Sequence, residues 1–536
     1  MILFYSMLLA IAYNGAFWRY LGGITTLSGG HGLLLAGAVL LLLCAFFSFS
    51  LSILPWRYGG RVLLSILLPL SAMAAYFMSQ YGTAIDGRMI QNVFETDINE
   101  IRDLLTVRMA FYLAFLGVFP VLMLWLVPLQ SPPSLLRRLG RRLIFMSLAF
   151  SVFLLMLGVQ YQAIASIARN HKEIRYFIVP NNFMKGLADY AKELNGVSGA
   201  DAANEVKAVA PDAKRGSSWA GRSRKALFVL VVGETARAEN FGLDGYARST
   251  TPKLMQQEGL INFTQMSSCG TDTAVSLPCM MSGLGRADYS LAKARGHENV
   301  LDVVKRAGLR VLWIDNQSGC KQVCDRVERM NTSSMNDPRF CSDGECHDGI
   351  LVEKLRELAE QSTQDTLVVL HQMGSHGPSY YKRYPDEFAE FQPACATAQL
   401  DKCSREEIRN AYDNTILYTD HVLSELITTL RANSDRYDTG LFYLSDHGES
   451  LGELGLYLHG APYMLAPDVQ THVPAVMWIS PGLEKSRGLS AQCLAAKSRS
   501  PLSQDNLFDS MLGLLDIQTR SYRPPLDIFH SCLSTT

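Results

Sequence analysis

Charge is scarce in this chain, and neither sign is in excess. Only 18% of the 536 residues are Asp, Glu, Lys or Arg, and the formal net charge is -1 at pH 7. Proteins with general affinity for nucleic acids carry a basic surface, so a pI near 6.8 excludes that class of partner. The chain also has no internal repeat and no low-complexity tract, and its first half holds a single cysteine, Cys44.

Long apolar runs are concentrated in the first third of the chain and predict a transmembrane domain over residues 1–162. Each run is close to the about 20 residues that cross a bilayer core as a helix. The first has no basic residues before it and no small-residue cleavage site after it, which favours an uncleaved span over a signal peptide. The alternative is a buried helical core. The five predicted spans cover residues 1–18, 33–54, 62–81, 109–129 and 143–162.

Arginines in the short loops predict the orientation of these spans. Basic residues favour the cytoplasmic side of a membrane. Two loops carry such residues. The loop after the second span has Arg57 and Arg61, and the loop after the fourth has Arg137, Arg138, Arg141 and Arg142. The loop after the third span is mostly acidic, which fits the opposite side. Everything after Gln162 should therefore lie outside the cytoplasm, and we expect a multi-pass protein of the bacterial inner membrane with a periplasmic domain.

Ten of the eleven cysteines follow residue 260, and their spacing supports this location. In an oxidising compartment, cysteines that are close in sequence are typical of disulfide bonds. The predicted pairs are Cys269 with Cys279, Cys320 with Cys324, Cys341 with Cys346, Cys395 with Cys403, and Cys493 with Cys532. The alternative for Cys320, Cys324, Cys341 and Cys346 is a structural zinc site.

The part after the spans divides into a connecting region and a second domain. Residues 163–195 have helical signals with aromatic and basic residues typical of a membrane interface. Residues 196–224 are rich in Gly, Ala, Ser and charge, and predict a flexible linker. From residue 225 to 536, short β-branched runs alternate with helical stretches over 298–307, 349–361 and 404–432. This alternation predicts an α/β domain with a mostly parallel sheet covered by helices.

Three polar residues follow directly after apolar strands of this domain. Glu234 ends FVLVVGE, and Asp446 and His447 come in GLFYLSDHGE. In parallel sheets, functional groups gather at the carboxyl ends of strands, so we expect these side chains to converge. Alone, each is equally well explained as a helix cap or a turn residue. Together with a hydroxyl of Thr273 they make an oxygen and nitrogen set that suits tetrahedral Zn²⁺.

The nucleophile is predicted in the turn SCGTDTAVSLPC. A threonine hydroxyl is protonated at neutral pH, and a nearby divalent cation is a way to activate it. We prefer Thr273, although Thr271 in the same turn is not excluded by the sequence. The turn should lead into a helix whose N-terminal amides favour phosphate oxygens, and a bond between Cys269 and Cys279 would fix its geometry.

Four further side chains are considered for the substrate. His376 and His459 lie in Gly/Pro-bearing loops, and an imidazole there can bind phosphate oxygens, protonate a leaving group or hold a second metal. Lys321 lies between two cysteines and is either a phosphate contact or an ordinary solvated lysine. His371, on the same segment as His376, is better explained by packing.

The segment between the third and fourth spans predicts an amphipathic periplasmic helix near residues 86–105. Asn92, Thr96 and Glu100 recur at every fourth position and share one face. An amide, a hydroxyl and a carboxylate in that arrangement can bind a lipid headgroup that bears an ammonium. The alternative is a solvated helix face.

Taken together, VVGETAR, SCGTDTAVSLPCM, HQMGSHGP, SDHGES and LYLHG resemble the membrane-bound phosphoethanolamine transferases that modify lipid A. That family includes the mobile colistin-resistance enzymes, and its catalytic domain belongs to the alkaline phosphatase and sulfatase superfamily. The resemblance covers nearly the whole chain, including YGTAIDGRMIQNVFETD between the spans.

The resemblance implies a role for each matched position. Glu234, Thr273, Asp446 and His447 match the zinc ligands, and Thr273 matches the residue that becomes phosphoethanolaminated. His376 and His459 match histidines near the substrate phosphate or a second zinc, and Asn92, Thr96, Glu100 and Lys321 match substrate contacts. One position departs from the family, because Asp272 stands where serine is more usual. A carboxylate there is expected to affect the metal or a local pKa.

The expected reaction moves phosphoethanolamine from phosphatidylethanolamine to a lipid A phosphate through a phosphothreonine. Three alternatives remain open from sequence. They are a transferase with another acceptor, such as a core sugar or a protein, a phosphoglycerol transferase or hydrolase of the same superfamily, and a signalling or transport protein with a binding ectodomain.

Overall fold

The structure is a computed structural model that describes residues 1–25, 29–54, 58–96, 98–128, 134–200, 206–342 and 344–533. It divides into two compact units. The first comprises Met1–Ile90 and Leu105–Tyr190, and the second comprises Gln91–Leu104 and Ala191–Thr536. We call them the membrane unit and the catalytic unit.

Helices dominate the first 200 residues. They are α1 (Ile2–Ile11), α2 (Gly15–Ile24), α3 (Gly29–Ile53), α4 (Gly59–Tyr81), α5 (Gly87–Glu95), α6 (Ile98–Leu104), α7 (Val107–Tyr112), α8 (Phe119–Leu126), α9 (Leu135–Val159), α10 (Tyr161–Asn170) and α11 (Asn181–Ala200), with a π-helical stretch at Leu113–Val118 that joins α7 to α8. Within the described residues, four helices are long and apolar enough to cross a membrane: α3, α4, α7 with α8, and α9. These confirm four of the five predicted spans, with bounds that differ by several residues.

The first predicted span, residues 1–18, is wrong as a single helix. The helix is interrupted between α1 and α2, and the buried Asn14 lies at the interruption. Its Nδ2 donates to the carbonyls of Leu9 at 2.7 Å and Val179 at 2.9 Å, and its Oδ1 accepts from the Val179 amide at 2.9 Å. An amide that binds backbone groups in this way competes with the helical hydrogen bonds.

The predicted amphipathic helix near residues 86–105 is also not continuous. α5 ends at Glu95 and α6 begins at Ile98, and Thr96 lies outside both. Asn92, Thr96 and Glu100 therefore do not share the face of one helix. The side chain of Glu100 lies outside the described part of the structure.

The predicted linker over residues 196–224 is partly folded. Beyond residue 205, Lys214–Arg215 pairs as a short strand with Ile517–Gln518. Trp219 donates its indole hydrogen bond to the Leu515 carbonyl at 2.7 Å. Residues 206–224 thus belong to the fold of the catalytic unit.

A seven-stranded sheet forms the centre of the catalytic unit. Its strands in chain order are β1 (Lys225–Gly233), β2 (Ile261–Asn262), β3 (Arg310–Asp315), β4 (Glu328–Asn331), β5 (Thr366–His371), β6 (Tyr437–Ser445) and β7 (Ala475–Ile479). Their order across the sheet is β2, β7, β6, β1, β5, β3, β4. β6, β1, β5, β3 and β4 are parallel, whereas β7 and β2 are antiparallel to their neighbours, so the prediction of a mostly parallel sheet is confirmed.

Small strands complete the unit outside this sheet. Met266–Ser267 pairs with His472–Val473 and Leu502–Ser503, Ser450–Leu451 with Tyr457–Leu458, and Cys341–Ser342 with Glu345–Cys346.

Helices cover both faces of the sheet. They are α12 (Thr273–Ser282), α13 (Leu291–Gly296), α14 (Val300–Arg306), α15 (Gly349–Gln361), α16 (Arg405–Ala432), α17 (Asp468–Thr471), α18 (Pro481–Arg487), α19 (Ala491–Lys497) and α20 (Leu507–Leu514). α14, α15 and α16 confirm the three helices predicted from sequence.

Alternating side chains of β1 enter two different hydrophobic cores. Phe228 and Leu230 pack in one, and Leu227 and Val229 in the other. Burial on both sides explains why this strand has a continuous apolar sequence.

All five predicted disulfide bonds are formed, and Cys44 is free. The alternative zinc site at Cys320, Cys324, Cys341 and Cys346 is therefore wrong, because each thiol is bonded to its sequence neighbour.

Candidate active site

Two adjacent parallel strands bring Glu234 and Asp446 together. β1 and β6 end in register, with Gly233 opposite Ser445, and the Asp446 amide donates to the Gly233 carbonyl at 2.9 Å. Gly233 lies against the ring of Tyr443, where a Cβ atom would come within 2.5 Å of the ring, so the close approach of the strand end requires glycine. The residue after each strand thus projects from the same edge of the sheet.

Thr273 completes this cluster from the N-terminus of α12. Its Oγ1 lies 3.2 and 3.1 Å from the two carboxylate oxygens of Glu234 and 3.3 Å from Nε2 of His447. Asp272 is the N-cap of the helix, and its carboxylate accepts the Val275 amide at 3.0 Å. The carboxylate that departs from the family pattern therefore stabilises the start of the helix that carries Thr273.

The other threonine of the turn is used differently. The Thr271 hydroxyl donates to the Ala461 carbonyl at 2.7 Å, and the Thr271 carbonyl accepts the Gly460 amide at 2.7 Å. Thr271 thus joins the turn to the loop that follows His459.

Burial and close charges perturb the ionisable groups of the cluster. Burial acts to raise the pKa of Glu234, but the hydrogen bond and the charge of His447 outweigh it and hold that pKa well below its usual value. Burial and the charge of Glu234 raise the pKa of Asp446. Burial acts to lower the pKa of His447, but the two carboxylates outweigh it and raise the pKa to about 10. The cluster therefore attracts positive charge strongly.

The donor atoms of this cluster fit a metal ion. One ligand atom from each of Glu234, Asp446 and His447 lies within 4.8 Å of the others, and all three side chains are buried. The Oδ2 atom of Asp446 is buried and has no hydrogen bond within the described part of the chain. Its neighbour is Nε2 of His447 at 3.4 Å, an ion-pair contact that leaves the oxygen without a hydrogen bond, and a cation bound between the two side chains would satisfy it.

Two more histidines lie beside the cluster. The ring of His459 is 4.6 Å from that of His447 and 5.7 Å from that of His376, measured between centroids. His459 Nδ1 lies 3.2 Å from the buried carboxylate of Glu449, which also accepts the Tyr380 hydroxyl at 3.0 Å. Burial lowers the pKa of His376 to about 3. The sheet edge therefore combines a hydroxyl, a possible cation site and an oriented imidazole.

Lys321 contacts a different part of the unit. It lies in the loop after β3 with a φ of 46°, and its Nζ donates to the Glu95 carbonyl at 3.1 Å and is 3.5 Å from the Ser318 hydroxyl. The Thr96 hydroxyl donates to the Asn92 carbonyl at 2.7 Å. Lys321 therefore binds the end of α5, the helix that also carries the predicted substrate contact Asn92.

Sequence reasoning missed the amide side chains that support the cluster. Gln317 donates to Glu234 at 2.7 Å. The buried Gln504 donates to the carbonyls of Ser445 and Asp446 at 2.7 Å and accepts the Cys269 amide at 2.7 Å. Gln504 therefore joins the end of β6 to the turn that carries the nucleophile. No local pattern marks either glutamine, because each acts through residues that are distant in sequence.

Comparison with known proteins agrees with this site. Residues 43–194 match a family described as phosphoethanolamine transferase EptA/EptB, and residues 226–517 match the sulfatase family. Over 533 residues the chain is 37% identical to phosphoethanolamine transferase EptA of Escherichia coli K12, with 99% of this chain and 96% of that protein covered. The chain belongs to the phosphoethanolamine transferase EptA family. The resemblance seen in the sequence motifs is confirmed.

Other members of the EptA family show the same extent of similarity. The phosphatidylethanolamine transferase Mcr-1 of Escherichia coli is 37% identical over 478 residues, which cover 86% of this chain and 84% of that protein. The solved structure of the integral membrane lipooligosaccharide phosphoethanolamine transferase A of Neisseria meningitidis superposes with a TM-score of 0.95 at 36% identity. That match covers 99% of this chain and 98% of that one.

Membership of the EptA family settles the class and the location of the chain. It is an integral membrane enzyme that transfers phosphoethanolamine, and its catalytic domain is periplasmic. The five disulfide bonds agree with that oxidising compartment.

Proposed function

We propose that this enzyme transfers phosphoethanolamine from phosphatidylethanolamine to a phosphate group of lipid A through a covalent intermediate on Thr273. The observation that carries the proposal is the position of the Thr273 hydroxyl, which contacts both Glu234 and His447 at the edge of the sheet. Mcr-1 is a phosphatidylethanolamine transferase, which supports the donor, and the Neisseria enzyme is a lipooligosaccharide phosphoethanolamine transferase, which supports an acceptor of that class.

Glu234, Thr273, Asp446 and His447 would hold a Zn²⁺ ion. Two carboxylates and an imidazole are typical zinc donors, and the Thr273 hydroxyl would be the fourth ligand. The Oδ2 atom of Asp446, which is buried and has no hydrogen bond in the described chain, supports a cation at this place. A bound zinc ion lowers the pKa of a neighbouring hydroxyl and neutralises charge that develops on a phosphoryl group. A second ion near His376 and His459 stays a prediction.

In the first step the Thr273 oxygen attacks the phosphorus of the donor. The bond from Oγ1 to phosphorus forms, the bond from phosphorus to the diacylglycerol oxygen breaks, and the Thr273 proton passes to the Glu234 carboxylate, which already accepts its hydrogen bond. His459 gives a proton to the departing oxygen, because Glu449 orients its ring through Nδ1. The products are diacylglycerol and phosphoethanolaminated Thr273.

In the second step a phosphate oxygen of the acceptor attacks the same phosphorus. The bond to Thr273 breaks, the threonine recovers its proton from Glu234, and His459 takes the proton that the acceptor phosphate monoanion loses as its oxygen attacks. The N-terminal amides of α12 favour the phosphate oxygens in both steps. We propose Asn92, Thr96, Glu100, Lys321 and His376 as contacts of the donor headgroup, with the Glu100 carboxylate for its ammonium group.

The membrane domain has five crossings in this proposal. α1 and α2 together make the fifth, and the contact of the apolar α1 with α3 supports that assignment. The domain bounds 1–162, 163–224 and 225–536 stay predictions.

Intact-mass analysis of the full-length enzyme in detergent tests the covalent step. After incubation with phosphatidylethanolamine, one phosphoethanolamine adduct is expected, and peptide mapping should place it between Cys269 and Cys279 on Thr273. Thr271→Ala is the matched control and should still form the adduct. An adduct on another residue would contradict the proposal.

Acceptor assays separate the remaining alternatives. Purified lipid A should consume the adduct and gain the mass of phosphoethanolamine. Release of free ethanolamine phosphate without acceptor would instead identify a hydrolase, and transfer to a core sugar but not to lipid A would identify another acceptor class.

A further inference from the structure

The segment Gln91–Leu104 belongs to the catalytic unit, although the chain on both sides of it belongs to the membrane unit. We call it the docking segment. The catalytic unit is therefore connected to the membrane helices at three places in the chain: at both ends of this segment and again after Tyr190. A lipid donor embedded in the membrane can reach Thr273 only if the residues at these junctions are held in a suitable position.

Polar side chains attach the docking segment to the rest of the unit. Gln91 is buried, and its Nε2 lies 3.3 Å from the carbonyl of Ala274, the residue after Thr273. One turn later, the carboxylate of Glu95 accepts from Nη2 of Arg295 at 3.0 Å. Burial raises the pKa of Glu95, and the charges of Arg295 and Lys321 oppose that rise. The first half of the segment is thus bound beside the nucleophile.

A second ion pair attaches the other end of the docking segment. The Asp103 carboxylate lies 2.7 Å from Nζ of Lys382 and 3.9 Å from Nη2 of Arg383. Arg383 donates from Nε to the carbonyl of His376 at 2.9 Å. This end of the docking segment therefore contacts the loop that carries His376.

The exposed side chains at the end of α5, in the first half of the docking segment, are apolar. Val93 is 61% exposed and Phe94 63% exposed, whereas the polar Gln91 is 2% exposed. This is the reverse of an ordinary amphipathic helix on a soluble domain, and it is the pattern expected of a helix that binds protein through its polar face and lipid through its apolar face.

The helix α13 contacts both the docking segment and the chain just after the membrane unit. Arg295 from α13 pairs with Glu95, and the Leu291 amide at its start donates to the carboxylate of Glu193, which lies just after the membrane unit ends. α13 in turn packs against α12, which begins with Thr273.

We propose that Arg295 and Glu95 are positioning residues that fix the docking segment beside Thr273, so that the exposed Val93 and Phe94 contact the bilayer while Thr273 meets the headgroup of a donor still embedded in it. The inference rests on the proposed function and adds the means by which a lipid in a bilayer is presented to it. The Asp103 and Lys382 pair serves the same purpose at the far end of the docking segment.

Charge-swap variants of the full-length enzyme test the proposal. Glu95→Arg and Arg295→Glu are compared with the double swap, which restores the pair in reverse. Each is given phosphatidylethanolamine in vesicles with phosphatidylcholine, or dihexanoyl phosphatidylethanolamine as dissolved monomers. Formation of the Thr273 adduct is followed by intact mass. Arg356→Glu, which breaks the exposed pair of Arg356 with Glu425 at 2.7 Å, is the matched control.

With vesicles, each single swap should slow the reaction by about tenfold, and the double swap should recover most of the rate, since removing one partner of a partly buried pair leaves the other uncompensated. With the monomeric donor, all variants should stay within about twofold of wild type, because a dissolved molecule needs no fixed position of the bilayer. Asp103→Lys, Lys382→Asp and their double swap should repeat this pattern at a more exposed pair.

Each contrary outcome has a separate meaning. Single swaps that match wild type with vesicles, or that slow both donors equally, would overturn the positioning role. A double swap no better than the single swaps would also overturn it, while melting curves show whether each variant is folded. Absence of any adduct in the wild-type enzyme with either donor would instead overturn the proposed function.

Discussion

The hydroxyl of Thr273 donates to the carboxylate of Glu234, although the two residues are 39 positions apart in the chain. One starts a helix and the other follows a strand, and the hydroxyl is also 3.3 Å from His447 Nε2. This relationship selects one threonine of the turn as the nucleophile and places it where a cation and a phosphoryl group can meet.

Thr273→Ala should abolish the covalent adduct, because no other hydroxyl of the turn reaches Glu234. Thr273→Ser keeps the oxygen and should keep measurable adduct formation. Thr271→Ala should still form the adduct and lose about 1 kcal/mol of stability with its hydrogen bond to Ala461. Intact mass and thermal melting check the three variants, and equal loss in both alanine variants would contradict the assignment.

Asp446→Ala should lower zinc affinity by about 100-fold or more, since it removes a carboxylate whose buried Oδ2 makes no hydrogen bond in the described chain. Elemental analysis after dialysis against buffered zinc measures the effect. Asp325→Ala removes a carboxylate that is 47% exposed and serves as the control. Retention of full zinc content in Asp446→Ala would place the ion elsewhere.

Gln504→Ala should reduce both stability and the rate of adduct formation. The Cys269 amide and the Ser445 carbonyl would each lose a buried hydrogen bond, at about 1 to 3 kcal/mol for each unsatisfied group. The exposed Gln256→Ala is the control. A lower melting temperature with an unchanged rate would show that Gln504 supports the fold without positioning Thr273.

Removal of the Cys493 to Cys532 bond should destabilise the enzyme more than removal of the Cys320 to Cys324 bond. Loop-closure entropy gives about 4 kcal/mol for the first, with a sequence separation of 39, and about 2 kcal/mol for the second, with a separation of 4. Thermal melting of the paired alanine variants measures the difference. Cys44→Ser is the control, because that thiol is free.

Asp244→Asn should stabilise the enzyme at pH 8 about twice as much as at pH 5. Burial raises the pKa of Asp244 to about 6, with the hydrogen bond from Asn262 opposing the rise. The folded state binds this proton more tightly than the unfolded state, so the wild type loses stability as the pH rises from about 4 through 6.

The asparagine is neutral at every pH and removes that loss, which we expect to be about 1 to 2 kcal/mol at pH 8. Oδ2 of Asp244 and Oδ1 of Asn262 both have no hydrogen bond in the described chain, and a protonated Asp244 or an asparagine can donate between them. Melting curves at several pH values provide the measurement. An equal effect of the variant at pH 5 and pH 8 would contradict the assigned pKa.

Local patterns in the sequence determined the class of each part. Apolar runs gave four of the spans, β-branched runs gave the strands, and close cysteine spacing gave four of the disulfide bonds, because each of these depends on residues that are near one another in the chain. The fifth bond was predicted because Cys493 and Cys532 were the two cysteines left. The positions of Glu234 and Asp446 after apolar strands were enough to predict that they converge, since parallel strands end at one edge of a sheet.

Tertiary structure decided what depends on distant residues. It separated Thr273 from Thr271, because only the docking of α12 onto β1 and β6 determines which hydroxyl faces Glu234. It interrupts the first predicted span at Asn14, whose side chain binds Val179 from far along the chain. It also joins Gln504 to the Cys269 amide in the turn that carries the nucleophile. Periodicity and spacing report the local environment of a residue, whereas hydrogen bonds across the fold follow from register and packing that no short stretch of sequence contains.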